Sequence, residues 1–206
     1  MSGARAAFHR SVAADPRLAY AWDGLAIVDL NSGNPSAAHE SAKHASSINP
    51  ANSGAWYHLG LAAERTGALD EAARSLAEAL RLDPENPEAK DALARVLIAG
   101  HRLEEAAGVL RSIVAGKPND VQSLKKLAEV YGALNRPAEG MLSAQQATRV
   151  EPDDGEAWVV LAVLATDAHD AGTAIDAADR ATELLGGNDP RVVFVRSRLG
   201  GGRGSM

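Results

Sequence analysis

The stretch SGAWYHLGLAAERTGALDEAARSLAEALRLDPEN, residues 53–86, holds two helical patterns, a turn between them and a stop at the end. Trp56, Leu59 and Gly60 follow a spacing of three and four, which gathers them on one helical face. Gly67 interrupts that pattern. Ala72, Leu76 and Ala79 then repeat it, until Asp83-Pro84 closes the second helix. A residue before proline is pushed out of the α region, so the helix ends there.

The same punctuation runs through the chain. Pro16, Pro50, Pro84, Pro118 and Pro152 stand 34 residues apart, and Gly186 follows one period later. A fixed period of this length marks a solenoid of stacked helix–turn–helix units. Aligned on the prolines, one column reads Trp22, Trp56, Lys90, Leu124, Trp158 and Val192. The next reads Leu25, Leu59, Leu93, Leu127, Leu161 and Val195, followed by Ala26, Gly60, Ala94, Ala128 and Ala162. The second helices carry Ala4, Ala38, Ala72, Ala106, Gly140 and Ala174, then Phe8, Ala42, Leu76, Leu110, Ala144 and Ala178. Small residues at helical spacing suit close helix approach. Asn52, Asn86, Asp120, Asp154 and Asn188 each stand where a side chain can cap the next helix. Gly33, Gly67, Gly100 and Asn135 fall in the turns, and Pro35 and Pro137 suit a first helical turn.

Trp56-Leu59-Gly60, Ala72, Leu76, Ala79 and Pro84 together resemble the tetratricopeptide repeat (TPR) signature. The usual first-helix tyrosine is Ala63 in that repeat, while Tyr131 occupies the column in another. The resemblance covers about residues 4–199. It implies an all-α fold, an α-solenoid wound as a right-handed TPR superhelix, with the first helices lining a concave groove that binds a peptide or partner protein. The expected organisation is an N-terminal half-repeat or cap at 1–18. Five repeats follow at 19–52, 53–86, 87–120, 121–154 and 155–188. A capping helix at 189–199 with a polar outer face and a flexible tail at 200–206 complete the chain. The opening half-repeat reads either as a natural cap or as the cut edge of a longer protein.

Composition narrows the function. The net charge is −6, from 21 basic and 27 acidic residues. Nucleic-acid binding needs a basic face, which this balance disfavours. No apolar run approaches the length of a membrane span and no signal peptide is visible, so a cytoplasmic location is expected. The chain has no cysteine, which removes disulfides, thiolate metal sites and cysteine nucleophiles. The preference for Ala and Arg over Lys suggests a GC-rich bacterial source.

Catalytic motifs are absent. The six histidines, His9, His39, His44, His58, His101 and His169, lack the spacing of a zinc-binding helix and read as solvated helix-surface residues. There is no phosphate loop, dinucleotide fingerprint or nucleophile elbow. No enzyme activity, metal or cofactor is expected. The TPR resemblance places candidate partner-binding residues on the first helices: Tyr20, Asp23, Ile27, Tyr57, His58, Leu61, Asp91, Arg95, Ile98, Lys125, Lys126, Glu129, Val159 and Val163. Within them, Arg95, Lys125 and Lys126 form a basic cluster suited to an acidic peptide or a terminal carboxylate. Asp91, Glu129 and Glu156 could neutralise that cluster in place. Tyr20, Ile27, Tyr57 and Leu61 form an aromatic and apolar patch suited to a binding hot spot. The five-residue carboxylate clamp of chaperone-binding TPR domains is not matched in any window. The expected function is a non-enzymatic interaction scaffold. Alternatives are a recruitment domain of a larger bacterial glycosyltransferase- or sulfotransferase-type enzyme, or of a pilus or envelope assembly system, and a self-assembling scaffold. Homo-oligomerisation is compatible with open solenoid ends.

Overall fold

A computed structural model describes residues 2–201. Those residues form twelve α-helices and no strand: α1 (Ser2–Ala14), α2 (Ala19–Asn31), α3 (Pro35–Ile48), α4 (Ser53–Arg65), α5 (Leu69–Leu82), α6 (Pro87–Ala99), α7 (Leu103–Gly116), α8 (Val121–Ala133), α9 (Pro137–Val150), α10 (Gly155–Asp167), α11 (Ala171–Leu185) and α12 (Pro190–Gly201). They fall into two compact units, one through Arg102 and one from Leu103. In the first unit α2 pairs with α3 and α4 with α5, while α3 stacks on α4, α5 on α6 and α1 on α2. In the second, α8 pairs with α9 and α10 with α11, α7 and α9 stack on their successors, and α12 lies against both α10 and α11.

Alanine sets the packing distance. Ala38, Ala72, Ala106 and Ala174 are fully buried, as are Ala21, Ala55, Ala89 and Ala157 on the first helices. Leu25, Leu59, Leu93, Leu127 and Leu161 fill the space between. Two glycines mark where even alanine is too large. A Cβ on Gly60 would lie 2.6 Å from Leu76 Cγ, and one on Gly140 would lie 2.8 Å from the Ala128 carbonyl oxygen.

The tryptophans join packing to punctuation. Trp22, Trp56 and Trp158 are half-buried, and each indole N–H donates to a proline carbonyl six residues earlier: Pro16 and Pro50 at 2.9 Å, Pro152 at 2.8 Å. Buried indole donors need such a partner. The repeat with Leu124 in this column has no indole, and there Gln146 Nε2 donates to the Pro118 carbonyl instead, at 2.6 Å.

The turns share one conformation. Gly33, Gly67, His101, Asn135 and His169 recur every 34 residues and all have positive φ. The next N–H closes each helix five residues back, for example Asn34 to Asp29 and Arg102 to Leu97, both at 2.9 Å. This is the Schellman arrangement, which favours glycine at the left-handed position. In the third turn Gly100 caps α6, as its place in the turn implied, and His101 beside it takes the left-handed conformation. His101 and His169 are likewise turn residues rather than helix-surface ones.

Four caps lie where their spacing placed them. Asn52 accepts from Gly54, Asn86 from Ala89, Asp120 from Ser123, and Asp154 from Glu156 and Ala157. The fifth differs. α12 opens one residue late, and Asp189, not Asn188, accepts the Arg191 N–H at 2.9 Å. α12 also extends through Gly201, so Gly200 and Gly201 are helical rather than tail, and the remaining tail expectation at 202–206 lies outside the described residues. Its solvent side is not purely polar either: Val193 and Phe194 are both about half exposed.

Candidate functional site

On the first unit, α2, α4 and α6 carry nine of the candidate residues. Tyr20 is 61% exposed and Ile27 38%. Asp91 and Arg95 are exposed, while Asp23, Tyr57, His58, Leu61 and Ile98 are half-buried. Leu61 turns partly inward, against Leu30, Ala38 and Ala62. His58 Nδ1 lies 2.7 Å from Asp23 Oδ1, tying α4 to α2. The Tyr57 ring sits 5.4 Å from that of His58. Burial pushes the Tyr57 hydroxyl above its ordinary value, helped by the negative charge of Glu88, so it stays a neutral donor. Arg95 is held in a fork by Glu64, Nε to Oε1 at 2.5 Å and Nη2 to Oε2 at 2.8 Å. That partner, on α4, is not among the acids expected to neutralise it.

On the second unit the basic residues are differently used. Lys125 is not an open groove cation: it is 7% exposed, with Nζ donating to Asp154 Oδ2 at 2.7 Å and to Glu156 Oε2 at 3.2 Å. Its alkyl stem is covered and its head is drawn to the cap of α10, so it staples α8 to α10. Burial alone would depress the ammonium, but the two carboxylate bonds outweigh it and raise it. Asp154 shows the complementary balance: burial raises it, the Lys125 bond and the Ala157 N–H outweigh that, and it ends below its ordinary value. Glu156 is lowered by Lys125 and then Arg191, whose Nη1 lies 2.7 Å from its other oxygen. Arg191 is also chelated by Asp189, whose carboxyl falls to about 2.

This network borders a cavity of about 400 Å³ lined by Gln122, Lys125, Lys126, Glu129, Glu156, Val159, Val160 and Arg191. Val159 is buried, contrary to its reading as a groove contact, because it packs into the core shared with Leu161 and Ala162. Val163 is half-buried on the same core, Lys126 half-buried, and Glu129 exposed as a residue. The walls nevertheless strip enough water from the Glu129 carboxyl to raise it. A second cavity, of about 630 Å³, lies among α10, α11 and α12, bordered by His169, Ile175, Asp179, Arg196 and Leu199.

Four residues escaped the sequence reading. Arg191 and Asp189 were assigned to a cap helix, yet they complete the Lys125 network. Phe194 is exposed on α12, with Arg198 5.8 Å above its ring. Asp29 is 2% exposed on α2 and faces Arg5 of α1. The signal for Asp29 was present: it is the one acid in a column of Ala63, Leu97, Tyr131 and Ala165. Among the described residues no group of three or more His, Asp or Glu side chains is placed to hold a metal, and no helix is long and apolar enough to cross a membrane.

Comparison with solved structures places the architecture among TPR proteins. "YrrB: a TPR protein with an unusual peptide-binding site" superposes with a TM-score of 0.82 at 17% identity, covering 93% of this chain and 98% of that one. The MamA protein gives 0.74 at 16% identity, covering 82% and 92%. A MamA segment from Desulfovibrio magneticus RS-1 gives 0.71 at 22% identity, covering 83% and 97%. At these identities the likeness shows the fold. A comparison with curated proteins finds no significant match. A family profile described as the cilia and flagella-associated protein 70 C-terminal domain matches residues 1–192. That span includes all five repeats read from the prolines, and by it the chain belongs to this family of tetratricopeptide-repeat domains.

Proposed function

We propose that the protein is a non-enzymatic scaffold that holds a peptide or a segment of a partner protein against its first helices. The observation that carries this reading is the exposure of Tyr20 and Ile27 on α2, beside half-buried Tyr57 on α4. Tyr20 and Ile27 stand seven residues apart on one face of α2; a shared apolar face left in water supports an interaction surface where a single exposed side chain does not, and tyrosine is enriched at binding hot spots. The peptide-binding site of YrrB supports the same use of this architecture. The basic residues contribute less than their charges imply. Arg95 and Lys125 already hold carboxylates of the protein itself, so an acidic ligand must compete with Glu64 or Glu156. The partner is thus chosen chiefly by apolar and aromatic contact, with charge setting register.

The test is a peptide-display selection against the full chain, followed by affinity measurement on variants. Tyr20→Ala and Tyr57→Ala should each weaken the selected peptide at least tenfold, consistent with a hot-spot loss of about 2 kcal/mol. Leu142→Ala, at an exposed position of α9, should leave binding unchanged. Equal affinity for all three variants would exclude the first-helix face.

A further inference from the structure

We propose that the face of α2 beneath α1 is a docking surface for a partner helix carrying an arginine followed three residues later by an aromatic side chain, and that α1 is its internal occupant. The face is built for such a helix at two points. One is Gly24: a Cβ there would lie only 2.4–2.8 Å from three ring carbons of Phe8, so glycine leaves room for the aromatic side chain where it now sits. Equivalent positions in later repeats hold His58, Ala92, Lys126 and Val160, none of which leaves such a notch. The other is Asp29, a carboxylate in a packing column that is otherwise uncharged. Arg5 Nη2 lies 2.7 Å from Asp29 Oδ1, yet that buried oxygen receives no aligned hydrogen bond. The pair is a charge contact rather than a directional lock. A buried carboxylate demands a cation, so the face selects a basic residue at this point and an aromatic one at the notch.

α1 meets both demands weakly. None of its residues 3–14 is fully buried, and Arg5 is itself 39% exposed. Its main packing is on α2 alone. A helix of 13 residues is marginal without tertiary support. Residues 15–18 separate α1 from α2, and Trp22 Nε1 holds the Pro16 carbonyl, so the hinge stays anchored to α2 when α1 leaves. α1 therefore acts as a strap that a better-fitting helix replaces. The charge complementarity with Asp29 commits the occupant to a basic, aromatic-bearing helix.

The probe is a labelled peptide of residues 2–18, read by fluorescence anisotropy against three full-length chains. Wild type carries α1 as a tethered competitor at high effective concentration. Arg5→Ala/Phe8→Ala loosens that competitor and keeps the face. The third chain adds Asp29→Ala to the double variant. The double variant should bind the peptide at least tenfold more tightly than wild type. Binding should fall at least tenfold on adding Asp29→Ala, and equally when the peptide itself lacks its arginine or phenylalanine. Circular dichroism melting shows whether each variant stays folded. Hydrogen exchange on wild type provides a second measure: α1 amides should exchange at least tenfold faster than those of α2. Equal affinity for wild type and double variant, binding that ignores Asp29, or α1 protected as strongly as α2 would overturn the proposal. A wild-type chain that dimerises by exchanging α1 would replace the partner helix with a second copy and overturn the assignment of the occupant.

Discussion

Replacing Gly140 with alanine isolates the role of close helix approach. Two effects oppose each other. In a helix interior, alanine is favoured over glycine by about 0.8–1 kcal/mol. Against this, the new Cβ would sit 2.8 Å from the Ala128 carbonyl oxygen and 3.0–3.1 Å from the Leu164 methyls. The carbonyl belongs to a backbone held by its own helix, so α9 must move away from α8. Overpacking of this kind costs roughly 1–3 kcal/mol. With the main obstacle being backbone, the net expectation is a loss of roughly 1–2 kcal/mol. Gly108 on α7 is the matched control: a Cβ there meets nothing within 4 Å, so only the propensity gain of about 0.8–1 kcal/mol remains. The variants should therefore differ by roughly 2–3 kcal/mol, which for a chain of this size separates their melting midpoints by about 4–12 °C. Thermal melting by circular dichroism, repeated in urea, reads the difference. Gly140→Ala as stable as Gly108→Ala would refute the claim that the small-residue column sets the helix spacing.

Three further outcomes test other parts of the account. His101→Gly relieves a left-handed residue whose strain is about 1–2 kcal/mol, offset in part by glycine's greater unfolded-state entropy; the chain should melt higher, and an unchanged or lower midpoint would mean the turn is not strained. Lys125→Ala leaves Asp154 half-buried without its ammonium partner and should cost about 1–3 kcal/mol in urea unfolding, whereas a neutral result would make the staple between α8 and α10 superfluous. Asp189, lowered from 3.8 to about 2 by the Arg191 bond, is deprotonated more readily when folded, so its stabilisation is complete above pH 3.8 and disappears as pH falls through 2. Asp189→Asn should flatten the decline in melting temperature across that window, and a profile identical to wild type would show that the α12 cap does not contribute.

The repeat was legible because it is written many times over. Each proline stop, capping Asn or Asp and buried leucine column recurs with the same period, so one departure cannot hide the pattern. Lys90, in the tryptophan column, did not obscure it. What was less legible was how side chains are used once the helices pack. Lys125 and Val159 share one column on consecutive first helices, and both read as groove residues. One is drawn under by Asp154, 29 residues further along the chain, and the other into the core of the second unit, choices that the column alone does not reveal. Arg95 is exposed, and Glu64, not one of the acids expected beside it, forks its guanidinium. The shift of α12 by one residue follows from α11 running to 15 residues where α3, α5, α7 and α9 have 14, a difference that spacing alone does not reveal. Asp29 was visible as an exception in its column, but only the packing of α1 shows what it faces.

The central claim is that partners are held by the first helices of each repeat. Hydrogen exchange on the full chain with and without a selected peptide measures this directly. The account predicts new protection in α2 and α4, centred on Tyr20, Ile27 and Tyr57, with α3 and α5 unchanged. Protection confined to α3, α5 or α9 would contradict it and move binding to the opposite side of the helix pairs.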